Sequence, residues 1–141
     1  MTNVHKDFHG CLSFGLKFLA ENYGPAEVEA YLRRVARNVY APLIQRLRNQ
    51  GLPALAVHCR RIMTLEDADF RLYADDDVLI LEIRDCPAIS HVKTHGYEIA
   101  PNFCESTRII NDDISRRAGY SASVEYDQAL GRCTQRFWRH E

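Results

Sequence analysis

At 141 residues, 46% of them apolar and 26% charged, the chain has the balance of one folded domain, able to build a core without staples. Its formal charge of −1 removes the electrostatic case for nucleic acid or an anionic membrane as a partner. No apolar run reaches the ~18 residues of a membrane-crossing helix. Met1 to Asp7 is polar and shows no secretory signal. Five cysteines, an odd number with no CxxC pair, argue against a secreted disulfide framework and for free thiols in the cytoplasm.

In chain order, Phe8, Leu12, Leu16 and Leu19 recur at helical spacing up to Tyr23. Gly24 supplies a stop and Pro25 opens a second helix. Its stripe of Val28, Leu32, Val35, Val39, Leu43 and Leu47 is interrupted by Pro42, which predicts a kink or a break before Gly51 ends it. A third helix is expected over Leu52 to Met63, with Leu55, Cys59 and Ile62 on one face. The period then changes to two. Phe70 to Ala74 and Val78 to Ile83 read as strands joined by the turn Asp75-Asp76-Asp77. A solvated turn explains this acidic run better than a calcium loop, whose alternating ligands are missing.

A short helix is expected from Pro87 to His95, broken by Gly96, and another from Pro101 to Gly119 with Phe103, Thr107, Ile110 and Ile114 on one side. Tyr120 to Tyr126 and Arg132 to Trp138 read as a closing hairpin around Gly131. No linker or repeat divides the chain, so residues 1–141 form one domain. The fold class is α+β: two hairpins, about four strands, make an antiparallel sheet packed against N-terminal helices and one or two central helices.

Chemistry points to the cysteines. Cys11 and Cys59 fall beside apolar helical stripes and read as small core residues. Cys86 precedes Pro87, whose helix would turn its free amides toward the thiol. Cys104 falls in the first turn after Pro101, where the helix dipole acts the same way, and Cys133 follows a glycine turn. Three gathered thiolates suit zinc or another thiophilic metal, with His91, Glu105, water or substrate in the fourth position. Alternatively one cysteine is a nucleophile, or the three are unrelated thiols. His9 lies next to the first apolar stripe rather than on it, as a general base or a surface histidine. Arg108, one turn after Cys104, would hold a substrate carboxylate or pair with Glu105 on the surface. The sequence lacks GxGxxG, P-loop, HExxH and GxSxG motifs, which argues against a nucleotide cofactor.

The segments Phe8-His9-Gly10, Cys86-Pro87-Ala88-Ile89, Phe103-Cys104 and Gly131-Arg132-Cys133, with Gln135-Arg136-Phe137, resemble the L-2-amino-thiazoline-4-carboxylic acid hydrolase-like family from about Asp7 to Trp138. The resemblance implies hydrolytic opening of a small cyclic amidine toward N-carbamoyl-L-cysteine. On that expectation Cys86, Cys104, Cys133 and His9 are catalytic. The three cysteines hold any metal, and Arg108 and His91 bind substrate. The cysteine layout is also loosely similar to four-vinyl-reductase-type sensing domains, which implies a closed structural metal and no turnover. The expected partner is a small molecule, with neither nucleic acid nor membrane. A homodimer follows only from how common such assemblies are.

Overall fold

The computed structural model describes residues 5–140. Helix α1 (Phe8–Tyr23) ends at Gly24, and α2 (Pro25–Val39) follows at once. The long second helix expected from the sequence divides at Tyr40, and α3 (Ala41–Gln50) begins there. Pro42 causes the break: it has no N–H to donate, and its ring collides with the carbonyl one turn back. Gly51, at φ +77°, then separates α3 from α4 (Leu52–Leu65). Four helices therefore precede the first strand among the described residues, where the sequence pattern suggested three. Prolines open α2, α3, α4 and α5 (Pro87–Thr94), each in the first turn, where the missing N–H has no helical partner to lose.

Strands β1 (Asp69–Asp75) and β2 (Val78–Asp85) form the first hairpin; β3 (Tyr120–Asp127) and β4 (Arg132–Arg139) form the second. The turn residues Asp76 and Asp77 have φ of +45° and +64°, left-handed geometry that aspartate tolerates better than most residues. Between the hairpins lie α5 and α6 (Phe103–Ala118). Helix α6 starts at Phe103 rather than Pro101 and stops at the left-handed Gly119.

The sheet order is β1-β2-β4-β3, antiparallel throughout. Its register builds one apolar face in rows: Phe70, Ile83, Cys133 and Tyr126; Leu72, Leu81, Gln135 and Val124; Ala74, Leu79, Phe137 and Ala122. The rows between them face the other way and are mostly polar, as in Arg71, Glu82, Thr134 and Glu125, although Tyr73, Arg136 and Ser123 enclose the buried Ile80. One buried face and one wetted face is the alternation expected of an antiparallel sheet.

Two cores result. One packs Leu43, Leu47, Leu55 and Ile114 on the sheet; the other gathers Leu16, Leu32, Ile89, Phe103 and Ile109 among α1, α2, α5 and α6. Leu16, Leu32, Leu47 and Leu81 are fully enclosed, each contributing about 1.5–3 kcal/mol of apolar burial. Arg33 fastens α2 to α6 through Asp112 (3.1 Å) and Asp113 (3.4 Å). Cys86 and Ile110 pack against both cores. A cavity lies at that junction.

Candidate active site

A cavity of about 470 Å³ opens between the two cores, walled by α1, α4, α6, the start of α5 and the apolar sheet face. Cys86, Cys104, Cys133 and His9 all line it.

Each thiol is positioned by a different local device. Cys86 caps α5 with extended backbone (φ −71°, ψ 120°), as a residue before proline must. Its N–H donates to the Gly131 carbonyl at 2.8 Å. Gly131, at φ +68°, lies so close that a Cβ there would sit 3.2 Å from Ile89 Cγ2 and 3.8 Å from Cys86 Cβ. Two residues on, Cys133 falls in the inward row of β4, and Gln135 Nε2 donates to its Sγ at 3.5 Å. The Cys104 N–H donates to Gln128 Oε1 at 2.9 Å, while Gln128 Nε2 donates to the Ala100 carbonyl at 3.0 Å. A side chain from the β3–β4 turn thus secures the start of α6 in place of a local cap.

Burial favours the neutral form of all three thiols. Burial raises Cys86 first; the Ile89 and Ala88 amides pull it down, without closing a full capping hydrogen bond, and the Glu66 charge raises it again. Cys104 is pushed up to about 12, chiefly by burial and then by repulsion from Cys86, Cys133 and Asp127. Burial also raises Cys133, partly offset by the hydrogen bond from Gln135.

His9 is buried, not a surface residue, and its Nε2 lies 2.5 Å from Glu66 Oε1. The buried face of α1 runs through His9, Ser13 and Leu16, which rotates it away from Phe8; Phe8 is half exposed, and its ring lies 3.9 Å from that of His9 at a tilt of 42°. Glu66 caps the C-terminus of α4 and also lines the cavity. The sequence did carry a signal for it. Glu66 extends the apolar series Leu55, Cys59 and Ile62 by one more helical step, so an acid sits on a buried stripe. Beside it, the Tyr40 phenol is raised by burial and by Glu66, and His58 is lowered by burial and by Arg46 and Arg61. The Tyr40 and His58 rings meet edge to face at 6.2 Å.

Two expected substrate-binding residues lie elsewhere. Arg108 faces the groove between α1, α2 and α6, with its Nε 2.5 Å from Glu105 Oε1. One helical turn keeps Arg108 near the face of Cys104, yet its side chain turns to Glu105 and lines that second groove instead of the cavity. His91 binds Asp7 Oδ1 through Nε2 at 2.9 Å, and its ring lies 4.0 Å from that of His95; it fastens α5 to the start of α1. Cys11 is exposed rather than a core residue, for the same rotation of α1 that exposes Phe8, whereas Cys59 is buried as expected.

A zinc site at Cys86, Cys104 and Cys133 requires three sulfurs converging on one point. Among the described residues no group of three or more His, Cys, Asp or Glu side chains has that arrangement. The thiols share a cavity but, as placed, do not fit a preformed metal centre.

Fold and site together define an α+β domain with an internal, thiol-lined cavity and a buried histidine–glutamate pair. No described helix is long and apolar enough to cross a membrane. No protein-family model and no curated protein matches the chain.

Proposed function

We propose that the cavity is the active site of a hydrolase that opens small cyclic amidines of the 2-amino-thiazoline type, with Cys86 as nucleophile and His9 as its base. The observation that carries this reading is the buried His9–Glu66 pair on the wall that also holds the Cys86 thiol. A protonated thiol attacks poorly and gains reactivity when a neighbouring base takes its proton as the bond forms. Glu66, bound to Nε2, fixes the imidazole and stabilises the cation that results.

The chemistry balances with water as the only co-reactant. Cys86 Sγ bonds to the amidine carbon while its proton passes to His9. The bond from that carbon to the ring sulfur breaks, and the proton moves to the departing sulfur. Water then adds to the same carbon, its oxygen becomes the carbonyl of the urea product, and Cys86 leaves with a proton returned through His9. The amides of Ala88 and Ile89 face Cys86 and favour negative charge on its sulfur.

Ring opening releases one new thiol per turnover, so a thiol reagent reads the reaction after the protein's own cysteines have been counted. Wild-type protein is expected to release thiol from a 2-amino-thiazoline. Cys86→Ser and His9→Gln are each expected to slow it at least a hundredfold, as loss of a nucleophile or base does. Full activity in Cys86→Ser would remove the nucleophile assignment, and no thiol release from wild type would remove the hydrolase reading.

A further inference from the structure

The walls of the chamber point to the class of molecule it accepts. Its volume of about 470 Å³ lies within the ~300–1,000 Å³ typical of sites that enclose drug-sized ligands. A five-membered ring with one amino group and one carboxylate is far smaller. Beyond Cys86 most of the wall is apolar, with Leu12, Ile62, Met63, Ile110 and Val124 partly exposed, and among its polar side chains Asn111 is paired with Gln135 at 2.8 Å.

The charges on the wall are equally selective. Glu66 is the only acidic side chain among the described lining residues, and it is buried. The basic ones are His9, His58 and Arg132. His9 is engaged by Glu66. His58 is disfavoured as a cation by burial and by Arg46 and Arg61. Arg132 is exposed at the first residue of β4, on the polar side of the sheet register. Arg108, the expected carboxylate anchor, lies outside the chamber. A carboxylate brought inside would lose its hydration without gaining a fixed cation. An amidinium would gain the second oxygen of Glu66, Oε2, since His9 holds only Oε1.

We infer that the ligand is an amphipathic amidine without a carboxylate, its basic head held near Glu66 and Cys86 and its hydrocarbon substituent lying against the partly exposed apolar side chains Leu12, Ile62, Met63, Ile110 and Val124. This rests on the chamber being the site proposed above, and it specifies the substrate class differently from a thiazoline carboxylate. Each methylene that enters the apolar space is expected to tighten binding about fourfold until the space is full.

The test separates binding from turnover by using full-length Cys86→Ala protein, with its fold checked by circular dichroism. Calorimetry would compare 2-amino-thiazoline, its 4-carboxylate and a series bearing n-alkyl chains of increasing length. The expected result is a rise of about fourfold per methylene that ends at a defined length, with the carboxylate binding more weakly than the bare ring. Met63→Trp, which narrows the chamber, is expected to shorten that limiting length. Affinity independent of chain length, or a carboxylate that binds more tightly than the bare ring, would overturn the inference. Length-dependent binding without ring opening by wild-type protein would uphold the ligand class while sinking the hydrolase reading. Ring opening with no chain-length dependence would do the reverse.

Discussion

Removing His9 leaves a carboxylate stranded. The side chains of His9 and Glu66 are only 9% and 10% exposed, and their 2.5 Å contact joins α1 to the end of α4. Breaking a buried pair by deleting one partner costs about 3–5 kcal/mol, because the other charge keeps its desolvation without compensation. Here the pair borders a cavity that admits water, which places His9→Leu near the lower end, about 3 kcal/mol. Urea unfolding followed by circular dichroism reads this directly. With an m-value of about 2 kcal/mol per molar, the midpoint should fall by about 1.5 M. Replacing both residues, as His9→Leu with Glu66→Met, removes the stranded charge and should recover most of the loss, giving a coupling energy of about 2–3 kcal/mol. The double variant should be stable and inactive, which separates the catalytic role from the structural one. Single substitutions that each cost less than ~1 kcal/mol and simply add would match an exposed ion pair instead, and would refute the buried dyad.

Three further outcomes follow from particular residues. Burial raises the Cys59 thiol from its ordinary 9.0 to about 12, so its stabilising effect is complete below pH 9 and disappears as pH rises from 9 toward 12. Cys86, Cys104 and Cys133 shift the same way, so the urea midpoint should be flat near neutrality and fall above pH 9, less steeply in Cys59→Ala. Gly131→Ala should cost about 1–2 kcal/mol, since it forces a Cβ into left-handed backbone against Ile89, and should also lower activity by shifting the turn above Cys86. Gly15→Ala should raise the melting temperature, with a gain of about 0.5–1 kcal/mol, because the glycine is mid-helix and its Cβ would meet nothing within 4 Å.

Most of the fold was legible because its punctuation is local. Prolines at helix starts, glycines at helix ends and a change of period from 3.6 to 2 after α4 mark every element. The phase of a helix is harder to read. On α1 the run Phe8, Leu12, Leu16 and Leu19 is apolar enough to suggest the buried face, yet the buried residues are His9, Ser13 and Leu16. Hydrogen bonds decide the difference. His9 binds Glu66, and Ser13 Oγ donates to the Glu98 carbonyl at 2.6 Å while accepting the Ala100 N–H at 2.8 Å. Those partners lie 57 to 87 residues away, beyond the reach of any local pattern. The same limit hid the pairing of His91 with Asp7, 84 residues away, whereas the pairing of Arg108 with Glu105 is local and was the alternative that the sequence offered.

The gathering of three cysteines from distant segments is a consequence of sheet register. Pairing β2 against β4 sets Ile83 opposite Cys133, so Cys86, just past the end of β2, meets the turn that opens β4 and donates to Gly131. The same hairpin supplies Gln128, which secures Cys104 at the start of α6. One set of strand pairings therefore delivers all three thiols to the cavity. Sliding β4 by a single residue would turn Cys133, Gln135 and Phe137 to the polar face and bring Thr134 and Arg136 inward. The penalty for burying Arg136 among Leu79, Leu81 and Phe70 protects the register, so the apolar rows that stabilise the sheet are also what keeps the site assembled.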